Sequence, residues 1–263
     1  MPASAPMPVL FLGHGSPMNA LADNAYTHRL RALGQRLPKP RGILCISAHW
    51  VTDGTFVTRM AKPKTIHDFS GFPPELFAVQ YPAPGSPEIA DLICATASDA
   101  AIQADEKTWG LDHGTWSVLR HMYPDADVPV LQLSIDGTRP DQDHFKIGQA
   151  LKPLRDQGIL IVGSGNIVHN LRLIDWNAAA PAFPWAIEFD AWVAARLANK
   201  DFKPLYHKVL HSDAARLSIP TPEHYRPLLY TLGAVDAEDT FSVEYEGIEH
   251  ASISMRCIRY GRA

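Results

Sequence analysis

Apolar, strand-like runs lead into histidines at three places in this chain. The three pairs of run and histidine are residues 9–12 with His14, residues 43–46 with His49, and residues 159–162 with His169. In an α/β sheet, ligands collect at the carboxyl ends of the strands, and neutral imidazole is the commonest metal ligand. The pattern therefore predicts a metal site built from three imidazoles at one edge of a parallel sheet.

The immediate neighbours of these histidines support this interpretation. His14 is flanked by two glycines, which allow the sharp turn and the close backbone approach that a ligand site needs. His49 directly follows an apolar run and precedes Trp50, which could shield it. We interpret both as metal ligands. His169 follows the glycine-rich residues 163–166 and is predicted to be either a ligand or a proton-transfer residue.

Other histidines divide by context. His224 follows Glu223, and on a helix the two would point about 100° apart, so only one of them would face the site. We expect His113, in a predicted turn, to transfer protons or orient substrate, and His67 to contact substrate from a lid. The histidines without such context, predicted to lie on the surface or on helix faces, are His28, His121, His144, His207, His211 and His250.

Two segments resemble other catalytic or binding motifs but lack residues that those motifs require. The segment around Ser16 resembles a nucleophile elbow, but it lacks the G-x-S-x-G order and Pro17 follows the serine. Residues 163–166 resemble a phosphate-binding loop but lack its lysine. We interpret these glycines as letting backbone amides and Asn166 face the metal pocket.

The elements that position these residues alternate between strand and helix, which predicts one α/β domain over residues 1–263 with a mainly parallel central sheet flanked by helices. Helices are predicted at residues 26–37, 87–100, 114–122, 141–155, 184–199 and 222–232. Further strands are predicted at residues 56–59 and 128–135, and an antiparallel C-terminal edge at residues 241–245 and 252–258. The Pro- and Gly-rich residues 63–87 carry aromatics and are predicted to form an ordered lid or pocket wall.

Composition limits the partners. The 263 residues carry a net charge of −4, which gives no electrostatic reason to expect nucleic acid or a membrane surface as a partner. No apolar run is long enough to span a bilayer. Three widely spaced cysteines favour reduced thiols and a cytoplasmic location. A monomer or a small homo-oligomer is expected.

Six segments, in this order along the chain, resemble those of extradiol ring-opening dioxygenases of the DOPA-dioxygenase type, relatives of the protocatechuate 4,5-dioxygenase β-subunit. The segments are residues 12–17, 47–50, 67–69, 111–114, 164–170 and 220–225. The resemblance implies that O₂ opens a catechol ring, DOPA-like with 4,5-cleavage, at a non-haem metal. It implies metal positions at His14, His49 and His224, and either a fourth metal position or a base at His169. It also implies proton transfer by His113, and substrate contacts from His67, Ser16 and Asn166.

One departure concerns the metal. Ferrous enzymes of this chemistry generally use two histidines and a carboxylate, whereas here His224 takes the carboxylate position unless Glu223 turns inward. Fe(II) is expected for activity, but an all-histidine set also suits Zn(II). The alternatives are a zinc-dependent hydrolase of a small amide or ester, or a metal-binding relative without catalysis.

Overall fold

A large sheet forms the centre of the molecule in this computed structural model, which describes residues 5–177 and 180–262. The strands of the described residues are β1 (Val9–Gly13), β2 (Gly42–Thr52), β3 (Phe56–Thr58), β4 (Gln103–Asp105), β5 (Val130–Asp136), β6 (Ile159–Gly165), β7 (Thr240–Tyr245), β8 (Ile248–Glu249), β9 (Ile253–Ser254) and β10 (Cys257–Gly261). Strands β8 and β9 form a separate two-stranded ribbon. The eight strands of the sheet follow the order β4-β3-β5-β2-β6-β1-β10-β7.

Helices cover both faces of this sheet. They are α1 (Ala25–Arg36), α2 (Pro74–Phe77), α3 (Pro87–Thr96), α4 (His113–Met122), α5 (Asp141–Leu151), α6 (Pro184–Ala198), α7 (Lys203–His207), α8 (Asp213–Ser218) and α9 (Arg226–Gly233). Apolar residues of α1 and α4 pack on one face, and those of α3, α5, α6 and α9 pack on the other. No helix in the described part of the chain is long and apolar enough to cross a membrane.

The middle of the sheet is parallel and buried on both faces. Strands β5, β2, β6 and β1 are parallel neighbours, and their side chains alternate between the two hydrophobic clusters, as Leu44 and Cys45 do in β2. Burial on both faces explains why these strands read as continuous apolar runs. Because the carboxyl ends of neighbouring parallel strands meet at one edge, β2, β6 and β1 deliver their histidines to the same place.

Three predicted helices are shorter than expected. Helix α3 ends at Thr96 instead of residue 100, and proline explains the other two. Helix α5 ends at Leu151, and the segment containing Pro153 continues as a 3₁₀ turn. Helix α9 begins at Arg226 instead of residue 222. Pro227 has no N–H and clashes with the backbone four residues earlier, so it belongs to the first turn of a helix and not to its interior. Residues 222–225 therefore form a turn.

The predicted strand over residues 252–258 was wrong in its bounds. Ile253–Ser254 pairs with β8, whereas Cys257–Gly261 joins the large sheet as β10. Residues 255–256, between these two strands, are not in a strand, and the Arg256 guanidinium donates to the carboxylate of Asp190. The predicted α/β fold is confirmed. The central sheet is mostly parallel, and the antiparallel strands β10 and β7 near the C-terminus complete it.

Candidate metal centre

Three imidazoles from different parts of the chain converge at the carboxyl edge of the sheet. His14 follows β1, His49 lies in β2, and His224 lies in the turn before α9. Their ring centroids form a triangle with sides of 5.0, 5.4 and 5.0 Å. One nitrogen from each ring lies within 4.8 Å of the other two. This grouping brings together three of the four residues predicted as metal ligands.

Hydrogen bonding fixes the tautomer of His14. Its Nδ1 lies 3.0 Å from the Ser164 hydroxyl, and that hydroxyl donates its own hydrogen to the Gly114 carbonyl oxygen at 2.5 Å. Ser164 can therefore only accept from His14, so Nδ1 carries the hydrogen. The Nε2 atom of His14 is left with a free lone pair that faces the other imidazoles.

A carboxylate does the same for His49. Asp68 Oδ2 lies 3.3 Å from His49 Nδ1 and 2.8 Å from His113 Nδ1, while the His113 backbone N–H donates to Asp68 Oδ1. Burial alone would raise the pKa of Asp68, but its hydrogen bonds with His113 outweigh burial and lower it. The ionised carboxylate accepts a hydrogen bond from His113 Nδ1. Its negative charge beside His49 Nδ1 favours a hydrogen on that nitrogen as well, which leaves the Nε2 atoms of both rings as acceptors.

The third imidazole is placed by a turn that packs against β6. His224 Nδ1 lies 3.2 Å from the Glu223 carboxylate, so Glu223 supports the ring from behind. The backbone of this turn bonds to β6, because Asn166 N–H donates to the His224 carbonyl oxygen at 2.8 Å. Position 165 must be glycine, because a Cβ there would lie 2.1 Å from that oxygen. His224, and not Glu223, therefore faces the site.

These donors fit a divalent cation. The Nε2 atoms of His14 and His49 are 3.1 Å apart, and both carry lone pairs because both Nδ1 hydrogens are used elsewhere. Two lone pairs at this distance repel unless a cation lies against them. Nitrogen ligands on three rings, each with its other nitrogen fixed by an acceptor, are the usual construction of a protein metal site.

The same burial keeps the imidazoles neutral. It lowers the pKa of His14 and of His224 well below the usual value, and the neighbouring imidazoles act in the same direction. Burial lowers the pKa of His49 to about 3 and that of His169 to about 4. Metal binding requires the neutral ring, so the site is ready for a metal at neutral pH.

A distortion of β2 and a helix cap position the surrounding groups. The pairing of β2 with β5 shifts register between Ile46 and Val51, which is the stretch that contains His49. Such bulges re-aim side chains. Asp112 caps α4 by accepting from Thr115 N–H, and it also accepts from the Ser47 hydroxyl at 2.7 Å. The cap ties the start of α4 to β2 and makes His113 the first helical residue, where a turn was predicted.

The predicted proton-transfer residues take different positions. His113 is 5 % exposed, and its ring centroid lies 3.9 Å from that of His49. The His169 ring stacks on the His224 ring at 3.5 Å. A nitrogen of His169 groups with Glu223 and His224, but not with His14 and His49. His169 thus lies beside the three-imidazole group, and its role as ligand or base stays a prediction.

A cavity of about 310 Å³ opens over these rings. Its walls are largely apolar and include Phe69 and Phe72 from the predicted lid, together with Leu171, Ile174, Trp176 and Ile253. Tyr81 of the same predicted lid is instead buried in the core, where its hydroxyl donates to the Tyr123 carbonyl.

The predicted substrate-binding residues are not all at this surface. Ser16 lines the cavity. Asn166 is buried behind it and donates to the Ser254 carbonyl, and its Oδ1 has no hydrogen-bond partner among the described residues. The His67 side chain is bonded to the Val79 carbonyl at 3.0 Å behind Phe69, and it is not among the residues that line the cavity. Substrate binding by these three residues stays a prediction.

Sequence reasoning missed two supporting residues, Asp68 and Ser164, and one residue of the cavity wall, His250. Asp68 lies between a predicted ligand and a predicted acid–base residue, and Ser164 fixes a ligand tautomer. A buried imidazole ligand needs an acceptor for its second nitrogen, but nothing in the sequence says which acidic or hydroxyl residue supplies it. His250, predicted to lie on the surface or on a helix face, lines the cavity from a turn.

Comparisons with known proteins identify the family. Residues 8–256 match the catalytic LigB subunit of aromatic ring-opening dioxygenase. The chain is 48% identical over 262 residues to 4,5-DOPA dioxygenase extradiol of Escherichia coli (strain K12), covering 98% of this chain and 96% of that protein. It is 39% identical over 234 residues to the protein of the same name from Beta vulgaris, covering 85% of each. A crystal structure of an uncharacterized Escherichia coli K12 protein matches with a TM-score of 0.85 at 45% identity, covering 97% of this chain and 100% of that one.

The fold and the site define an α/β protein with a group of three imidazoles that could bind a metal. The chain belongs to the LigB family of aromatic ring-opening dioxygenases, which are non-haem metal enzymes that use O₂ on small aromatic molecules. It is therefore an oxidoreductase, and the predicted family and enzyme class are confirmed. The hydrolase and the inactive relative are not favoured.

Replacing Ser164 by alanine tests how the His14 tautomer is held. Ser164→Ala removes the acceptor for His14 Nδ1–H, and loss of such a partner typically costs 10–100-fold in metal affinity. We expect a loss of about this size in a chelator competition titration. Ser134→Ala is the matched control, since Ser134 is also a buried strand serine but accepts from Phe56 N–H, away from the site. Equal affinity in both variants would show that Ser164 does not orient the ligand.

The metal-free protein is expected to lose stability in mild acid. In the unfolded chain the imidazoles gain protons below a pH of about 6.5, whereas folding keeps His169 neutral to about 4 and His49 to about 3. The unfolded state therefore binds more protons between these limits. Each histidine lowers the free energy of unfolding by about 1.4 kcal/mol per pH unit there. Denaturant titrations at several pH values in this range give the free energy of unfolding as a function of pH. That free energy should depend less steeply on pH in a His49→Gln, His169→Gln double variant. An equal pH dependence would show that these two histidines do not cause the loss of stability.

Proposed function

We propose that this protein opens the ring of a DOPA-like catechol by 4,5-cleavage with O₂, at a ferrous ion held by His14, His49 and His224. The observation that supports the proposal most is the set of three neutral imidazoles, one nitrogen of each lying within 4.8 Å of the other two. The relatives from Escherichia coli and Beta vulgaris carry the name of this activity.

The metal supplies chemistry that side chains lack. Bound Fe(II) would offer open coordination positions for the two catechol oxygens and for O₂, together with the one-electron redox steps that make O₂ reactive toward an aromatic ring. Zn(II) would fit the same three nitrogens without that redox chemistry. We therefore propose iron as the working metal and zinc as a form that can be found bound.

His113 is proposed to move the proton. Its Nδ1–H is held by Asp68, which leaves Nε2 at the cavity surface with a free lone pair. This atom can take a proton from a catechol hydroxyl and return it to the opened product. Asp68 Oδ2 also lies 3.3 Å from His49 Nδ1, so one carboxylate acts on both the proposed ligand and the proposed base.

His169 is proposed to position the substrate ring edge and to serve as a second proton-transfer group. Its ring is stacked on His224 and lies in the cavity wall. Phe69 and Phe72 belong to the apolar part of the cavity lining, which would exclude water from the reacting ring. An aromatic ring between apolar walls, with its hydroxyls directed at the imidazoles, is the arrangement we propose for the complex.

Anaerobic loading with iron followed by a panel of catechols tests this proposal. We expect O₂ uptake that depends on iron and on a catechol, with the appearance of a yellow ring-opened product. Zinc-loaded protein should consume no O₂, and amide or ester hydrolysis by the zinc form would favour the hydrolase.

We also propose one catalytic domain over residues 1–263, a monomer or small homo-oligomer, and a cytoplasmic location.

A further inference from the structure

The outer half of the cavity differs in chemistry from the inner half. The inner end is made of imidazoles, whereas most of the wall near the mouth is apolar, including Leu171, Ile174 and Trp176. Trp176 is 81% exposed, so the mouth presents a large aromatic face to solvent. Among the described residues that line the cavity there is no lysine, arginine, aspartate or glutamate. A charged substituent on the substrate therefore meets no charged side chain in this wall.

His250 supplies a polar group at the mouth. Its Nδ1 lies 3.0 Å from the Asp175 carbonyl oxygen, and its own carbonyl accepts from the Asp175 N–H at 3.1 Å. A carbonyl oxygen only accepts, so Nδ1 carries the hydrogen. In the neutral ring Nε2 is then an acceptor, and it has no hydrogen-bond partner among the described residues.

The backbone of this turn is held in a costly conformation. His250 has φ 51° and the following Ala251 has φ 61°. Few non-glycine residues adopt this left-handed region, although asparagine, aspartate and histidine adopt it more often than alanine does. The Ser252 hydroxyl donates to the Asn170 carbonyl and helps to hold the turn. Strain of this kind persists where the surroundings determine it, and it concentrates at ligand sites. It places the His250 ring beside Trp176, with ring centroids 6.5 Å apart.

We propose that His250 Nε2 accepts a hydrogen bond from an ammonium group on the side chain of the catechol, and so selects aminated catechols. The inference rests on the proposed function and names the substrate class of the same site. Asp175 pairs with His250 through its backbone, and Glu249 directly precedes His250. These two carboxylates, against the one cation Arg172 near Asp175 in the chain, favour a cation at the mouth over an anion.

The variant His250→Asn separates binding from structure. Asparagine tolerates the left-handed backbone, and its amide can still donate to the Asp175 carbonyl, but it lacks the outer acceptor. We expect KM for dopamine and L-DOPA to rise about tenfold or more, with kcat unchanged. KM for 4-methylcatechol and for dihydroxyphenylpropionate, which lacks the ammonium, should stay within about twofold. Trp176→Phe is the neighbouring control and should affect the four catechols alike.

Three results would overturn the proposal: equal losses with all four catechols, no loss with any, or the largest loss with the carboxylate-only compound. Anaerobic dissociation constants for the same four compounds, measured by titration calorimetry, give the same comparison without turnover. If the wild-type protein opens none of these rings, the proposed function fails, while the binding data still decide the role of His250.

Discussion

Replacing His14 or His224 by alanine is expected to abolish both metal binding and ring opening. Each substitution removes one of three converging nitrogens and leaves a buried gap. A bound metal supplies several kcal/mol of transition-state stabilisation, and each 1.4 kcal/mol or so is a factor of ten in rate. We therefore expect kcat/KM to fall by about a thousandfold or more. The metal content measured by elemental analysis should fall from one ion per chain to near zero.

The exposed His28 provides the control for these substitutions. It is paired with Asp23 on the surface, so His28→Gln should keep full metal content and activity. Circular dichroism of the alanine variants checks that the fold survives. A His14→Ala protein that retains stoichiometric metal and more than about a tenth of the activity would show that the metal lies elsewhere.

Replacing His113 by glutamine is expected to slow ring opening while the metal stays bound. A positioned proton-transfer group typically contributes 10²–10⁴-fold, and His113 is outside the three-imidazole group. We expect a loss of kcat of that size with normal metal content in His113→Gln. A direct measurement is single-turnover kinetics with iron-loaded protein, because product release then does not mask the proton-transfer step.

The partner carboxylate gives a second, distinguishable effect. Asp68→Asn weakens the hydrogen-bond acceptor of His113 and removes the negative charge beside His49, so it should lower the rate and also the metal affinity. A His113→Gln variant that loses its metal, or one that keeps the wild-type single-turnover rate, would contradict the division between ligands and proton-transfer residue.

Most of the fold and two of the three imidazoles in the candidate site could be predicted from the sequence, because the signals are local. Buried parallel strands read as apolar runs, and His14 and His49 directly follow or extend such runs. The choice between Glu223 and His224 could not be made in this way. It depends on Pro227, which starts α9 late, and on Gly165, which lets the turn approach β6.

The supporting residues could not be predicted for a related reason. Asp68 is 45 positions from His113, and Ser164 is 150 positions from His14. Many acidic and hydroxyl residues could serve as acceptors, and only the packing of the elements selects one of them. His250 has no signal in the sequence, since its place at the cavity mouth depends on two successive left-handed residues in a short turn.

Oxygen-isotope labelling tests the central claim most directly. Iron-loaded protein with L-DOPA under oxygen-18 gas should form a ring-opened product in which both atoms of one O₂ molecule are found by mass spectrometry, and His14→Ala should form none. A product that carries no label, or a turnover that proceeds without O₂, would contradict ring opening by a dioxygenase at the three imidazoles.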